Sequence, residues 1–163
     1  MATTYDPNTQ VKSEIFKIIC SSSDIVALLT NTTTPTVPNK ALMYTQVWPY
    51  MRVTECCKQA NTHICFDVII NEADSAHVKG LEITFILLTQ DSLMRTELGT
   101  RLDRLEREIL EVFNGSRGFG IGRVFLKKSR PNDSGDLADG WHWRRVTFEV
   151  KDFNLKADDS IWA

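Results

Sequence analysis

The sequence lacks an excess of charge of either sign, and it lacks any long hydrophobic run. Nineteen basic and 21 acidic residues among 163 leave a formal net charge of −2, so no global attraction to nucleic acid or anionic lipid is expected. The most apolar stretches, CFDVII and LEITFILL, are too short to cross a bilayer. The first ten residues lack the basic start and apolar core of a signal peptide. We therefore expect no membrane partner and a chain that is made and kept in a cytosol.

Cysteine is present but not in a metal-binding pattern. In a reducing cytosol, Cys20, Cys56, Cys57 and Cys65 are expected to be thiols. His63 lies close to three of them in sequence, but structural zinc sites use paired Cys-x-x-Cys motifs, and adjacent cysteines cannot easily both ligate one ion. The pattern favours buried thiols over a zinc site, and no metal or cofactor is expected.

Motifs for phosphate binding and nucleophilic catalysis are also missing. The chain has no Gly-x-Ser-x-Gly elbow and no Gly-Lys-Ser or Gly-Lys-Thr. Gly118, Gly120 and Gly122 follow a predicted helix and lead into a strand, the reverse of the order that a dinucleotide site needs. We therefore expect no enzyme activity. The alternative from another functional class is a small cytosolic enzyme with a Cys/His site at Cys65 or His63.

Hydrophobic periodicity predicts three helices and four clear strands. Apolar residues at helical spacing indicate two shorter N-terminal helices, in DPNTQVKSEIFKIICSS and DIVALLTN, and one long helix, in ELGTRLDRLEREILEVFN. In the long helix, Leu98 begins the apolar stripe, and Asn114 with Gly115 is expected to end it. Alternating apolar residues indicate strands in THICFDVIIN, VKGLEITFILLTQ, IGRVFLKK and WHWRRVTFEVKDF. The region 40–55 is expected to be extended, with Pro49 confining it to an edge.

This element order predicts an α+β fold. We expect an antiparallel or mixed four- to five-stranded sheet packed by one long helix, with two shorter N-terminal helices. A single domain would cover residues 1–154, and residues 155–163 would form an extended C-terminal tail.

Aromatic and apolar residues outside the obvious core suggest a protein–protein interface. Trp, Tyr, Met and Arg are enriched in such interfaces. The candidate interface residues are Trp48, Tyr50, Met51, Phe119, Trp141, Trp143, Ile161 and Trp162. Together they favour a subunit of an assembly.

Six short strings carry a resemblance to a known family. They are DIVALLT, VWPYMRV, ICFDVIIN, LGTRLDRLEREI, GFGIG and FEVKDFN, and they run in order from Asp24 to Asn154. In this order they resemble the neck proteins of tailed bacteriophages, the tail terminator, also called the tail-completion or head–tail joining protein. The resemblance implies an α+β subunit that assembles into a ring, usually a hexamer, and performs no bond chemistry.

The resemblance also implies partners and a location. The ring would cap the tail tube protein, contact the head-side connector protein and leave a central channel for the transient, non-specific passage of DNA. The protein would belong to the virion neck and would assemble in the bacterial cytoplasm. Loops 31–40 and 129–140 would reach neighbouring rings. Arg123, Lys127 and Lys128 are the candidate channel or DNA-proximal residues. A head-side connector or head-closure protein of the same neck remains the alternative within the family.

Overall fold

The structure is a computed structural model that describes residues 7–32, 39–71, 79–117, 122–131 and 140–153. The first elements are α1 (Pro7–Ser21), α2 (Ser23–Thr30), a 3₁₀ turn (Asn39–Leu42), β1 (Val47–Trp48) and α3 (Val53–Cys56). The next are β2 (His63–Asn71), β3 (Lys79–Gln90), α4 (Asp91–Met94), β4 (Arg95–Thr96) and β5 (Gly99–Thr100). The last are α5 (Arg101–Phe113), β6 (Phe125–Pro131) and β7 (Trp141–Phe153).

The main sheet has five strands in the order β1-β2-β3-β7-β6. Strand β1 runs parallel to β2, and the other neighbouring pairs are antiparallel. The α+β class and the mixed sheet are therefore confirmed. Strand β2 pairs with β3 along its whole length, from His63 opposite Leu88 to Asn71 opposite Gly80.

One face of the sheet packs against α1, α2 and α5 to form the main core. Strand side chains alternate between faces, so Phe85 on β3 and Phe148 on β7 point to the same side. Their ring centroids are 5.8 Å apart, and the ring of Phe113 from α5 lies 5.0 Å from that of Phe85. These rings are fully buried with Ile15 of α1. The apolar stripes of the helices thus face the main core, as the periodicity predicts.

A second, smaller core lies on the opposite face of the sheet, beneath α3. It contains Trp48, Cys56, Cys65, Ile86 and Leu88. This core explains why β2 is apolar on both faces at its start, whereas only one apolar face was expected there.

The long helix begins later than the sequence predicts. Its N-cap is Thr100, whose hydroxyl accepts a hydrogen bond from the amide of Asp103 at 3.2 Å. The preceding residues form the two-stranded β4–β5 hairpin instead. Leu98, predicted to begin the apolar stripe, lies at the hairpin turn with 76% of its surface exposed. Helix α5 has 13 residues and α1 has 15, so the expected order of their lengths was wrong.

The prediction of an extended chain over 40–55 was wrong for most of its length. The segment holds the 3₁₀ turn, the two-residue strand β1 and the short helix α3. The carbonyl of Pro49 accepts a hydrogen bond from Nζ of Lys12 at 2.8 Å, and Gln46 donates to the carbonyl of Thr62 at 3.0 Å. Side chains of this segment and of α1 therefore form hydrogen bonds to backbone carbonyls that a longer strand would pair with its neighbour.

Backbone hydrogen bonds join the end of α5 to the entry of β6. Asn114 and Gly115 were both expected to end the helix in the left-handed conformation. Asn114 is extended, and of the two only Gly115 is left-handed, with φ of +79°. The amide of Gly115 donates to the carbonyl of Val124 at 2.6 Å, and the amide of Val124 donates to the carbonyl of Ser116 at 2.9 Å. Strand β6 therefore begins at Phe125, later in the chain than the sequence predicts.

Some expectations fall outside the described residues. They include the tail 155–163, residues 33–38 and 132–139 of the two expected long loops, and Gly118 and Gly120. In the parts that are described, none of the helices is long and apolar enough to cross a membrane.

Candidate assembly interface

A group of large side chains, three of them exposed, lies on and beside β1 at one edge of the sheet. We call it the aromatic edge patch, and it comprises Tyr44, Trp48, Tyr50, Met51 and Arg52. The ring of Trp48 lies 6.3 Å from that of Tyr44 and 6.1 Å from that of Tyr50, and the two tyrosine rings are 6.4 Å apart. The exposed fractions are 55% for Tyr44 and 41% each for Tyr50 and Met51. The patch therefore offers interface-type side chains to solvent.

Trp48 holds this patch in place from below. It is 4% exposed, and its indole Nε1 donates to Nδ1 of His63 at 3.4 Å. The guanidinium carbon of Arg52 lies 4.2 Å from the centroid of its ring, a cation–π contact. Trp48 was predicted to be an interface residue, but it is a buried support for the residues around it.

A tight turn presents Tyr44. Its φ is +60°, which is uncommon for a residue other than glycine. Its amide donates to the carbonyl of Val47 at 2.9 Å, and the hydroxyl of Thr45 donates to the carbonyl of Ala41 at 2.6 Å. The turn brings Tyr44 back over β1. No feature of the sequence indicates this position, because Tyr44 precedes the string VWPYMRV.

The cysteine and histidine cluster is closed to solvent. His63 and Cys65 are both fully buried, and Sγ of Cys65 lies 3.8 Å from Sγ of Cys56. Nδ1 of His63 accepts from Trp48, so Nε2 carries the proton and faces the carbonyl of Gln59 at 3.3 Å. Burial is the main cause that lowers the pKa of His63, which favours this neutral form. Within the described residues, no group of three or more His, Cys, Asp or Glu side chains could hold a metal ion.

Trp141 and Trp143 lie at the start of β7 and pack on the same small core. Both are half-buried, and the ring of Trp141 lies 6.2 Å from that of His63. The guanidinium carbon of Arg145 lies 5.5 Å from the ring centroid of Trp143. The structure thus brings Trp141, Trp143 and Trp48 together around one cluster. Trp141 and Trp143 therefore leave part of their surface exposed on the same face of the sheet as Trp48.

The candidate DNA-proximal residues lie on or just before β6. Arg123, Lys127 and Lys128 are exposed, and Nζ of Lys127 is 3.0 Å from a carboxylate oxygen of Glu82. That contact raises the pKa of Lys127 and offsets its charge. The register instead places Arg130 directly opposite Arg145.

Like charges facing each other across two strands repel. Lys128 lies opposite Thr147, and Arg130 lies opposite Arg145, two residues earlier on β7. Because residues two apart on a strand share a face, the side chains of Lys128, Arg130 and Arg145 point to the same face of the sheet. Arg130 and Arg145 were not among the candidate channel residues, although the basic strings GRVFLKKSR and WHWRR contain them. The register places both beside Lys128.

A groove lies at the opposite end of α5 from Gly115. It has a volume of about 650 Å³ and is formed by α2, the β4–β5 hairpin and the first turn of α5. Its lining includes Ala27, Leu28, Leu98, Arg101 and Arg104. This groove was not expected from the sequence, because the hairpin that forms one wall was predicted to be helix.

Three of the candidate interface residues, Phe119, Ile161 and Trp162, lie outside the described residues. Among the others, Tyr50 and Met51 are both exposed, whereas Trp48 is buried beneath them. Whether these residues contact a partner stays a prediction.

Comparison with known proteins gives one family. No curated protein matches the chain. The YomW family matches residues 13–150, from within α1 to near the end of β7. The match spans both cores, the aromatic edge patch and the groove, and the family name comes from a phage region. The chain therefore belongs to the YomW family, which indicates a phage origin.

Proposed function

We propose that this protein is a structural subunit of a phage neck, most simply the tail terminator. It assembles into a homo-hexameric ring that ends the tail tube and joins the tail to the head-side connector. DNA passes through the centre of the ring without sequence-specific contacts. The protein acts in the virion and is assembled in the bacterial cytoplasm.

The aromatic edge patch is the observation that carries this proposal. Tyr44, Tyr50 and Met51 remain exposed although Trp48 and Arg52 hold the segment in a defined position. Exposed aromatic and methionine side chains on a fixed scaffold are typical of interfaces. The phage origin of the family and the ordered strings from Asp24 to Asn154 support the same function.

The buried Cys/His cluster favours assembly over catalysis. A nucleophile must reach its substrate, but Cys65 and His63 have no exposed surface. The indole of Trp48 also takes the acceptor nitrogen of His63. The cluster serves as a packed support beneath the patch.

Lys128, Arg130 and Arg145 are the proposed channel-facing charges. Three cations on one sheet face suit a passing phosphate backbone, and their contacts would weaken as salt increases. Measuring the DNA affinity of the assembled ring at several salt concentrations tests this part. A DNA affinity that is unchanged by salt would contradict it.

Electron microscopy of phage particles made without this protein tests the proposed function. A terminator stops tube polymerisation, so its loss should give tubes of uncontrolled length that stay separate from filled heads. Supplying the protein from a plasmid should restore joined particles of normal length. Tails of normal length beside heads that have lost DNA would identify a head-side connector or head-closure protein. Normal infectious particles would exclude a neck function.

A further inference from the structure

The groove beside α5 contains a buried cation that lacks a negative partner among the described residues. Arg101 is 6% exposed. Its Nε donates to the carbonyl of Leu93 at 2.7 Å, and its terminal nitrogens donate to the carbonyl of Leu28 at 2.7 Å and Oδ1 of Asn31 at 2.6 Å. All three acceptors are neutral. They satisfy donors but leave the charge uncompensated, which is unfavourable inside a protein.

Two further arginines line the same groove. Arg104 lies one turn along α5, and Arg95 lies on the hairpin. Nε of Arg104 is buried and has no hydrogen-bond partner among the described residues. The first turn of α5 adds the partial positive charge of a helix N-terminus. Asp24 and Glu97 also line the groove, and both are exposed, as is Arg95, so the buried and half-buried charges of the lining are those of Arg101 and Arg104. The buried part of the groove is thus cationic.

Apolar side chains complete the lining. Ala27 and Leu28 come from α2, and Leu98 extends from the hairpin turn. Leu98 is the most exposed large apolar side chain in the described parts of the chain. A cavity of about 650 Å³ is large enough for a bulky side chain and its neighbours. The chemistry fits a peptide that carries acidic residues followed by a large apolar one.

The chain itself contains such a segment, ADDSIW, at residues 157–162. We propose that the groove binds this segment from a second copy of the chain. Asp158 and Asp159 would face Arg95 and Arg104, and Trp162 would pack on Leu98. This inference rests on the proposed homo-oligomer and assigns one of its contacts.

The distance along the sheet favours binding between two copies of the chain. Arg144 on β7 pairs with Asp103 in the first turn of α5 at 2.8 Å, so the groove lies near Arg144. Strand β7 ends nine residues later, at Phe153, about 30 Å away. Asp159 is six residues beyond Phe153, a reach of at most about 21 Å. The backbone reach of the tail is thus shorter than the span from Phe153 back to Arg144, which favours the groove of a neighbouring subunit.

Engineered disulfides test this contact directly. The full chain carrying both Leu98→Cys and Ser160→Cys is oxidised with oxidised glutathione and run on a non-reducing denaturing gel. We expect a ladder of covalent dimers and larger species, since each bond would join two copies. Arg117→Cys with Ser160→Cys is the matched control and should give no ladder. A double variant that gives no more ladder than this control would overturn the inference.

Charge reversal gives a second readout that needs no new cysteine. Arg104→Glu should weaken self-association by about tenfold or more, measured by sedimentation equilibrium. Adding Asp158→Arg and Asp159→Arg should restore at least half of the lost association on a logarithmic scale. Arg117→Glu is an exposed arginine variant outside the groove and should have no effect. If Arg104→Glu weakens self-association equally with and without Asp158→Arg and Asp159→Arg, the proposed contact is contradicted.

The outcomes separate this inference from the proposed function. A ring that forms without cross-linking or charge rescue would overturn the groove contact and leave the neck function standing. A chain that remains monomeric in every condition would overturn both.

Discussion

The guanidinium of Arg52 lies over the indole ring of Trp48, with the guanidinium carbon 4.2 Å from the ring centroid. The contact joins the residue that precedes α3 to strand β1, and the ring of Tyr50 lies beside it. A cation–π contact at a partly exposed site contributes about 0.5–1 kcal/mol. Arg52 therefore stabilises the scaffold that presents the aromatic edge patch.

Removing this guanidinium should lower the free energy of unfolding. We expect Arg52→Ala to cost about 1 kcal/mol, measured by urea denaturation. Arg145→Ala is the matched control, because its guanidinium lies farther from an indole, at 5.5 Å from Trp143. The control should cost less. An equal or larger loss for Arg145→Ala would show that the distance to the ring does not determine the effect.

The exposed members of the patch should matter for assembly and not for folding. Tyr50→Ala and Met51→Ala remove exposed side chains, so each should change stability by less than about 0.5 kcal/mol. Each should weaken ring formation by roughly fivefold to thirtyfold if it lies at the centre of a subunit contact. Sedimentation equilibrium measures the association. Lys17→Ala on α1, also exposed, is the control and should associate as the wild type does. Unchanged association of both patch variants would remove the patch from the interface.

Buried His63 should make stability depend on pH. Burial lowers its pKa in the folded chain below its ordinary value near 6.5. At a pH between the pKa of His63 in the folded chain and its pKa in the unfolded chain, the unfolded chain binds a proton that the folded chain does not. The free energy of unfolding is therefore unaffected above about pH 6.5 and decreases as the pH falls below it. Protonation of Nδ1 would also break the hydrogen bond from Trp48.

Two variants identify the histidine responsible for this effect. His63→Gln should reduce the loss of stability between pH 7.5 and pH 5.5 in urea titrations. His142→Gln, at an exposed position on β7, should retain most of the loss. A steep pH dependence that persists in His63→Gln would assign the effect to another group.

Thiol reactivity distinguishes the packed cluster from a catalytic site. Cys20, Cys56 and Cys65 are buried, and burial raises the pKa of Cys20 to about 11. Only Cys57 is partly exposed. We expect one thiol to react quickly with an aromatic disulfide reagent in native conditions and three to react only on unfolding. Cys57→Ser should remove the fast phase. Fast modification of Cys65 near neutral pH would favour the enzyme alternative.

Long periodic segments allowed the class and most of the sheet to be predicted. The alternation in ICFDVII and LEITFILL defines β2 and β3, and their antiparallel pairing follows from the short connection between them. Where elements are short, tertiary contacts decide the structure. Leu98 suits a helical stripe by spacing, but Thr100 caps the helix after it, and the hairpin turns Leu98 outward.

The candidate site was predictable only in part. The string VWPYM identifies a cluster of large side chains, but it does not reveal that Trp48 is buried while Tyr50 and Met51 are exposed. That difference depends on α3 covering the second face of the sheet. Tyr44 joins the patch through a left-handed turn that has no glycine to indicate it.

The mass of the native assembly shows whether the protein forms the proposed ring. The purified chain is mixed with the tail tube protein of its phage and measured by native mass spectrometry. We expect a ring of six chains, alone or bound to the tube protein. A mass of one chain, both alone and in the presence of the tube protein, would contradict the proposed ring.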